Sequence, residues 1–254
     1  MNLSPQQQAR YTRHLALPEI GAAGQARLSA GSVLVVGAGG LGSPAALYLA
    51  AAGAGRIGVM DGDALELSNL QRQILHRTAD LGRPKAASAA DALRALNPEV
   101  EIVPIPQRLT EANGRAVIDG YDVVIDATDS FTAKFLIADL CHAAGRPVVH
   151  GGIRAFEGSA MTVVPGRGAC YRCVFEQPPP AEEGAPRGPL GALPGVIGAV
   201  QAAEALKLLL GAPTETLLVD RLFVFDAWRL TARTVRVTRR ETCPLCRERG
   251  RVIA

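Results

Sequence analysis

The stretch Ser32–Gly42, SVLVVGAGGLG, decides the fold of this chain. It begins with an unbroken apolar run, Val33–Val36, which is typical of a strand buried on both faces of a parallel sheet. The run leads directly into a G-x-G-x-x-G pattern that starts at Gly37, and the alanine-rich segment 43–52 then predicts a helix. A strand, a glycine turn and a helix start in this order present backbone N–H groups and the positive end of a helix dipole, where a phosphate can bind.

A second apolar strand with an acidic end follows this unit. It is predicted at Arg56–Met60 and is followed by Asp61, Gly62 and Asp63. In nucleotide-binding folds, a carboxylate about 20 residues after the glycines accepts hydrogen bonds from ribose hydroxyls, so Asp61 is the predicted ribose contact. The alternative is an ordinary glycine turn at a strand-to-helix junction. A strand, a helix and an acidic residue in register favour nucleotide binding over that alternative.

Downstream, the chain continues to alternate predicted strands and helices, which is the pattern of an α/β fold. We predict a Rossmann-like, doubly wound, mainly parallel sheet that continues into antiparallel strands and a metal site made of four cysteines. The chain is interpreted as one domain, 1–254, made of a helical lead-in (1–31), a nucleotide-binding part (32–165) and a C-terminal part (166–254). Helices are predicted at 4–30 (broken at Gly21, Gly24 and Gly31), 85–97, 110–119, 131–144 and 196–210, further strands at 101–105, 122–129, 146–153, 159–164, 217–224 and 233–237, and a proline-rich crossing loop at 177–194.

The composition indicates a globular protein of 254 residues, with 48% apolar residues and a formal net charge of +3. No apolar run reaches the ~18 residues that a membrane span needs, and the N-terminal sequence has no apolar signal core. We therefore expect a cytoplasmic protein with no membrane partner. The net charge is too small to predict nucleic-acid binding.

Four of the five cysteines form two C-x-x-C pairs, Cys170 with Cys173 and Cys243 with Cys246. Each pair supplies two thiolates from one turn, and two pairs complete a tetrahedral site. A closed four-thiolate shell predicts a structural metal, with Zn²⁺ preferred to iron because the sequence shows no redox partner. The alternative for either pair alone is a redox motif. Cys141 lies in an apolar predicted helix and is interpreted as an inert buried thiol.

Polar and cationic residues follow the second strand closely. The sequence LSNLQRQ at 67–73 includes Arg72, and the sequence DLGRPK ends at Lys85. These two cations match the charge of nucleotide phosphates and of a leaving pyrophosphate. Taken alone, each is more often a surface cation than a ligand. Their position beyond the carboxyl ends of parallel strands, where ligands bind in such folds, makes the two interpretations equally favoured.

Asp129 follows the predicted strand at 122–129 and precedes a predicted helix. A carboxylate at the carboxyl end of a parallel strand is a candidate Mg²⁺ ligand. A carboxylate just before a helix is also a candidate N-cap. Both interpretations of Asp129 remain open at this point.

Taken together, the motifs GAGGLG, DGD, SNLQRQ, GRPK, DATDS, CYRC, GVIG and CPLC, in this order, resemble the ThiF/MoeB family of adenylyltransferases, which are relatives of the ubiquitin-activating enzymes. The likeness extends from Tyr11 to Cys246. It implies an enzyme that uses ATP and Mg²⁺ to activate the C-terminal Gly-Gly carboxylate of a small ubiquitin-like sulfur carrier (MoaD/ThiS-like). The products are pyrophosphate and an acyl-adenylate, used for sulfur transfer in molybdopterin, thiamine or related thio-cofactor biosynthesis.

The resemblance also implies roles for individual residues. Arg13, on the lead-in, would cross a homodimer interface into the partner's ATP site, and Arg72, Lys85 and Asp129 would act on the reacting phosphates and Mg²⁺. A sulfurtransferase or cysteine desulfurase is a further candidate partner. The implied ATP contacts are Gly37, Gly39, Gly40, Gly42, Asp61, Ser68, Asn69, Leu70, Gln71, Arg72, Lys85, Asp129 and Ser130.

The chain departs from the family pattern at two places. The family usually has asparagine after the magnesium-binding aspartate, where this chain has Ser130. Many members carry a cysteine in the crossing loop, where counting from the GVIG motif reaches Gly184 and no cysteine is present. A covalent step on this enzyme therefore lacks an obvious nucleophile. Alternatives to the adenylyltransferase are an NAD(P)-dependent Rossmann oxidoreductase and a nucleotide-binding scaffold without catalysis.

Overall fold

Eight strands form one mixed sheet in this computed structural model, which describes residues 3–177 and 188–247. The strands are β1 (Ser32–Val36), β2 (Arg56–Met60), β3 (Glu101–Ile105), β4 (Val123–Asp126), β5 (Val148–Arg154), β6 (Glu157–Val163), β7 (Arg221–Asp226) and β8 (Thr231–Arg236). Their order across the sheet is β3-β2-β1-β4-β5-β6-β7-β8. Strands β1 to β5 pair in parallel, and β5 to β8 pair antiparallel, so β5 joins the two halves.

Helices cover both faces of the sheet. The helices are α1 (Pro5–Arg10), α2 (Thr12–Leu15), α3 (Gly21–Ala30), α4 (Gly42–Ala52), α5 (Lys85–Leu96), α6 (Glu111–Asp119), α7 (Phe131–Ala144), α8 (Tyr171–Val174), α9 (Leu193–Leu210) and α10 (Pro244–Arg247). Along β1, Val33 and Val35 pack into the core with α4, α5 and α9, while Leu34 and Val36 pack into the core with α6 and α7. This burial on both faces explains the continuous apolar sequence of β1.

The predicted fold class is confirmed, and the differences lie at the ends of elements. Strand β4 ends at Asp126 rather than at 129, and β7 begins at Arg221 because 217–220 forms a turn. Helix α9 begins at Leu193, three residues before the predicted start, since a proline is accepted in the first turn of a helix.

The lead-in is three short helices rather than one segment broken at its glycines. Gly24 lies inside α3, where a Cβ would approach Leu210 Cδ2 at 3.0 Å, so the small residue serves packing between helices. Gly31 ends α3 as expected. The other predicted helices and strands are present within a few residues of their predicted ends.

Among the described residues, α9 is the one helix that is long and apolar enough to span a membrane by length and composition. The sequence had shown no apolar run of that length, because the helix includes Gln201, Glu204 and Lys207. Gln201 and Glu204 are buried, and α9 packs between α4 and strands β4 to β6. An interior helix of this kind passes the same compositional test.

Candidate active site

The glycine turn after β1 is held against the loop that follows β4. Gly37 has a positive φ of 100°, and a Cβ there would lie 2.7 Å from the carbonyl oxygen of Ala127. A Cβ on Gly42, the first residue of α4, would collide with the carbonyl oxygen of Gly37. The sequence therefore requires glycine at both positions, and the turn lies where the strand order reverses between β1 and β4.

Asp61, the predicted ribose contact, lies directly beside this turn. Its Oδ2 accepts a hydrogen bond from the Ala38 amide at 2.8 Å, and its Oδ1 accepts one from the Asp63 amide at 2.8 Å. The two bonds fix a half-buried carboxylate at the carboxyl end of β2. This position is the one expected for a ribose contact in a fold of this type.

His76 also contacts the glycine turn, although no sequence pattern had indicated a role for it. His76 Nε2 lies 2.9 Å from the Ala38 carbonyl oxygen, and Nδ1 lies 2.8 Å from Ser88 Oγ on α5. Burial lowers the pKa of His76, so the neutral imidazole is favoured. The signal was weak because a lone histidine in a loop has many ordinary uses.

Gln73 lines the same turn. Its side chain is buried, and its Nε2 would be 3.5 Å from a Cβ placed on Gly39. Within the part of the chain that the structure describes, Gln73 Oε1 has no hydrogen-bond partner. A buried acceptor left open beside a glycine turn fits a site that binds a polar ligand.

Arg72 packs against the glycine turn, where a residue that contacts phosphates is expected to lie. Its Cγ would be 3.4 Å from a Cβ on Gly40, and its Nη1 donates to the carbonyl oxygen of Ser68 at 3.2 Å. The Asn69 side chain accepts a hydrogen bond from the Glu66 amide at 3.1 Å, so it also stabilises the short 3₁₀ turn that carries it.

The neighbouring residues Leu70 and Gln71 are less closely tied to the turn. Leu70 is half-buried, and the Gln71 side chain is exposed. The Gln71 backbone carbonyl packs against Gly191, near the start of α9. Their predicted contacts with the nucleotide stay predictions.

Lys85 begins α5, and it reaches the same edge of the sheet. Its Nζ lies 3.3 Å from Asp63 Oδ2, and the lysine side chain is only 9% exposed. Asp63 also accepts from Arg108 Nη2 at 2.6 Å, and that arginine is 78% exposed. The Lys85 ammonium can exchange its half-exposed carboxylate partner for a phosphate at little cost, because an ion pair that is open to water contributes little energy.

The structure excludes one of the two interpretations of Asp129. Ser130, not Asp129, is the N-cap of α7, because Ser130 Oγ accepts from the Ala133 amide at 3.2 Å. The N-cap interpretation of Asp129 is therefore wrong. Asp129 is exposed, and among residues 3–177 and 188–247 its carboxylate has no hydrogen bond or ion pair. It is thus available as a metal ligand.

Asp126 and two residues bonded to it were missed by the sequence analysis. Asp126 lies at the end of β4 and is completely buried, with Lys134 Nζ 3.3 Å and His150 Nδ1 2.8 Å from its Oδ2. Burial alone would raise the pKa of Asp126, but the Lys134 charge and the His150 and Thr128 hydrogen bonds outweigh it and lower the pKa to about 2. The carboxylate is therefore ionised at neutral pH.

Arg13 does not reach the site of its own chain. It is exposed on α2, and its neighbour His14 bonds Gln25, whose Nε2 donates to the carbonyl oxygen of Ala52 at 2.9 Å. Ala52 is the last residue of α4, whereas the glycine turn precedes the first, so about 16 Å of helix separates them. Within one chain, the other predicted catalytic residues lie beyond the carboxyl ends of β2 and β4, the two neighbours of β1, and Arg13 lies apart from them.

The four paired cysteines form one buried cluster beside α7. Their Sγ atoms all lie within 4.8 Å of one another, with contacts of 3.6 Å and 3.7 Å between pairs. A tetrahedron with Zn–S bonds of about 2.3 Å has edges of about 3.8 Å, so the donor set fits zinc. None of the cysteines forms a disulfide, and Cys141 is buried with its pKa raised by burial.

The site can be compared with known proteins. The sequence profile described as the ThiF family matches residues 11–245. The chain belongs to the ThiF family. It is 47% identical over 253 residues to the SAMP-activating enzyme E1 of Haloferax volcanii, covering 98% of this chain and 93% of that protein. It is 44% identical to a sulfur carrier protein adenylyltransferase of Thermus thermophilus, covering 93% of this chain and 90% of the relative.

A third ThiF-family relative is longer. The chain is 49% identical to the adenylyltransferase and sulfurtransferase MOCS3 of Bos taurus, covering 98% of this chain but only 55% of MOCS3. The chain therefore spans about half the length of this relative and nearly all of the other two. These relatives confirm the predicted enzyme class, a nucleotidyltransferase, and favour it over the oxidoreductase and scaffold alternatives.

Solved structures confirm the fold of this ThiF-family chain. Escherichia coli MccB with MccA-N7isoASN superposes with a TM-score of 0.83 over 96% of this chain and 75% of MccB, at 21% identity. MccB with ATP gives a TM-score of 0.80 over 93% of this chain and 74% of MccB, at 23% identity. At this identity the likeness supports the fold alone.

Proposed function

We propose that the chain adenylates the C-terminal carboxylate of a small ubiquitin-like sulfur carrier that ends in Gly-Gly. A carboxylate oxygen of the carrier attacks the α-phosphorus of ATP and forms the new P–O bond. The bond from the α-phosphorus to the bridging oxygen breaks, and pyrophosphate leaves with that electron pair. The carboxylate is already ionised at neutral pH, so the step needs no general base.

One observation carries this proposal. The glycine turn, Asp61, Arg72 and Lys85 meet at the carboxyl edge of the parallel strands, and Asp129 stands exposed at the same edge. Backbone N–H groups at the start of α4 and two cations suit a triphosphate, and a carboxylate open for a metal follows the adjacent strand β4. Relatives named as carrier-activating adenylyltransferases support the same conclusion.

Each residue of this group has a distinct role. Arg72 and Lys85 balance the charge that develops on the phosphates as pyrophosphate leaves. Asp129 is the residue that would hold Mg²⁺, which would neutralise negative charge on the phosphates when bound. Asp61 orients the ribose, and Ser68 and Asn69 offer hydrogen bonds to the triphosphate.

The antiparallel half of the sheet offers a surface for the carrier. The β5–β6 and β7–β8 turns are adjacent because Glu157 pairs with Asp226, and their Phe156 and Trp228 rings lie 5.0 Å apart. Trp228 is 74% exposed and Leu230 is 79% exposed, which marks an interaction site for another protein.

This surface is close enough to the glycine turn for a carrier tail. The β5–β6 turn follows the carboxyl end of β5, so it lies on the same edge of the sheet as the turn. Two or three strand spacings separate them sideways, about 10 to 15 Å, and β5 extends four residues beyond His150, the partner of Asp126, which adds about 13 Å along the strand. The span is therefore about 16 to 20 Å, which an extended tail of about six residues can cross.

The homodimer predicted for the family is retained as part of this proposal. An apolar groove between α4 and α9, with exposed Tyr48 at its rim, lies next to His14 and hence next to Arg13. A second copy covering this groove would bring Arg13 toward the partner's phosphates, where a planar cation stabilises developing charge.

Mixing two inactive variants tests this arrangement. Arg13→Ala mixed with Asp129→Ala should recover about a quarter of wild-type activity or less, because only one site of each heterodimer keeps both groups. Recovery no better than the sum of the two separate variants, with subunit exchange demonstrated, would show that Arg13 does not act across an interface.

In this proposal, the C-terminal part of the chain supplies a metal site. The Cys170–Cys173 and Cys243–Cys246 pairs hold a structural Zn²⁺.

Gly184, the position without the loop cysteine, lies outside the described residues. With Cys141 buried, adenylation proceeds without a thiol of this chain, and sulfur comes from a separate sulfurtransferase or cysteine desulfurase in the cytoplasm.

Exchange of labelled pyrophosphate into ATP tests the function. With wild-type chain, Mg²⁺ and a ubiquitin-like carrier ending in Gly-Gly, we expect exchange, and the same carrier lacking the two glycines is the matched control. Exchange that ignores the carrier's C-terminus would contradict the proposal. A change in nicotinamide absorbance with NAD(P)H in place of ATP would instead support the oxidoreductase alternative.

A further inference from the structure

The buried Asp126 is held from four elements of the fold. From α7, the Lys134 ammonium contacts both carboxylate oxygens at 3.3 and 3.4 Å, and it also donates to the Gly151 carbonyl on β5. From β5, His150 Nδ1 contacts Oδ2 at 2.8 Å. From α9, Gln201 Nε2 donates to the Asp126 backbone carbonyl at 2.8 Å. Together with the backbone of β4, these contacts hold the carboxylate in a single position.

The buried ion pair of Asp126 and Lys134 needs an explanation, because apolar side chains at the same positions usually stabilise a core as well as an ion pair does, or better. Removing two charges from water costs several kcal/mol per ion, and replacing a buried pair by well-packed apolar residues is often neutral or stabilising. Asp126 is 0% exposed, and the Lys134 ammonium is held by both Asp126 oxygens and by the Gly151 carbonyl, so neither group is offered to a nucleotide at the surface.

The remaining hydrogen bonds of Asp126 point toward the active site. Its Oδ1 accepts from the Thr128 amide at 3.1 Å and from Thr128 Oγ1 at 2.6 Å, which folds the chain into a tight turn immediately after β4. Asp129 is the next residue, and Ser130 then caps α7. The backbone of Asp129 is therefore fixed on one side by the Thr128 turn and on the other by the helix cap.

We propose that Asp126 and Lys134 are positioning residues, which set the place of the Asp129 carboxylate through the Thr128 turn. This inference rests on the proposed function, because it assigns to Asp129 the Mg²⁺ that accompanies ATP. Asp129 itself is exposed and without a partner in the described part of the chain, so only its backbone anchors can pre-orient it. Groups that orient a metal ligand in this way typically change metal affinity by about 10 to 100-fold when they are removed.

The test measures two quantities in three variants: the Kd of Mn²⁺ for the ATP-bound chain by electron paramagnetic resonance, which should change in parallel, and the free Mg²⁺ concentration that gives half-maximal ATP–pyrophosphate exchange. Lys134→Met should raise this concentration about tenfold, while the rate at saturating Mg²⁺ falls by less than about threefold. Lys134→Arg should restore the wild-type value within about twofold, since the guanidinium can pair with the same carboxylate. Lys207→Met is the matched control, because Lys207 pairs with the buried Glu204 on α9, toward the opposite edge of the sheet.

An unchanged Mg²⁺ requirement in folded Lys134→Met, or an equal rise in Lys207→Met, overturns the inference. If Lys134→Met does not fold, Thr128→Val decides, because it removes the Thr128 hydroxyl and keeps the buried ion pair. A raised Mg²⁺ requirement in Thr128→Val supports the inference, and an unchanged one overturns it. Absence of exchange in the wild-type chain would instead contradict the proposed function, so the two failures are distinguishable.

Discussion

The carboxyl edge of the sheet holds two lysine–carboxylate pairs that differ most in the exposure of the carboxylate. In both pairs the N···O distance is 3.3 Å and the lysine is nearly buried. Asp63, the partner of Lys85, is 45% exposed, whereas Asp126, the partner of Lys134, is 0% exposed. The first pair can exchange its partner for a phosphate at small cost, and the second is fixed in the core. The same two functional groups thus serve ligand binding in the Lys85–Asp63 pair and structural support in the Lys134–Asp126 pair.

The largest expected effect is on stability at the buried pair. Asp126→Asn keeps the shape but leaves the Lys134 ammonium buried without a countercharge, which should lower the free energy of unfolding by about 3 to 5 kcal/mol. Asp63→Asn, the matched change at the exposed pair, should lower it by about 1 kcal/mol or less. Urea denaturation of both variants measures the difference. Equal losses would remove the distinction between the two pairs.

The next effect is on catalysis at the exposed pair. Lys85→Ala should reduce carrier-dependent exchange by about 3 kcal/mol of transition-state stabilisation, roughly 100-fold, because the cation no longer balances charge on the phosphates. Its free energy of unfolding should change by about 1 kcal/mol or less, since the lost ion pair has a half-exposed carboxylate. Full exchange activity in this variant would show that Lys85 is only a partner of Asp63.

A smaller effect is expected from pH. The pKa of Asp126 is lowered from 3.8 to about 2 in the folded chain, so the folded state favours the ionised form more than the unfolded state does. Its contribution of about 2 kcal/mol is complete above the unfolded pKa and is lost as the pH falls from about 4 to about 2. Denaturation of the wild type against Asp126→Asn across this range should show a loss larger by about 2 kcal/mol in the wild type, because other carboxylates with a lowered pKa, such as Asp80 and Asp226, titrate in both proteins. Parallel curves for the two proteins would contradict the assignment.

The smallest effect on chemistry is expected at the cysteine cluster, which is closed to solvent. Cys243→Ser should lose bound zinc and lower the unfolding temperature, while exchange per folded molecule stays within about threefold of the wild type. Cys141→Ser, which also alters a buried thiol, should keep the metal. Elemental analysis measures both, and zinc retained in full by Cys243→Ser would show that the cluster is not the metal site.

The sequence allowed prediction of those parts of the site that depend on local patterns. The strand, glycine turn and helix around Gly37 are encoded within a dozen residues, and the cysteine pairs are recognisable by spacing. The role of Asp129 stayed open because a side chain before a helix can cap it or bind a ligand. Ser130, one residue later, takes the cap, and only the hydrogen bond to Ala133 shows this.

The buried network could not be predicted because its members are far apart in the sequence. Lys134 lies on a largely apolar helix, and His150 lies within a strand, so each alone indicates nothing about a shared partner. Their contact with Asp126 depends on the pairing of β4 with β5 and on the packing of α7 against both. The role of Arg13 depends on a second chain, and for that reason it stays a prediction.

Carrier adenylation is measured most directly by the intact mass of a Gly-Gly carrier after reaction with the chain, ATP and Mg²⁺. The expected product is a carrier that is heavier by one adenylyl group, attached at its C-terminal carboxylate and removed by hydroxylamine. The product should be absent with Asp129→Ala and with a carrier lacking the two glycines. A panel of ubiquitin-like Gly-Gly carriers that all keep their mass, or an adenylyl group attached anywhere except the C-terminus, would show that the chain does not adenylate a carrier C-terminus.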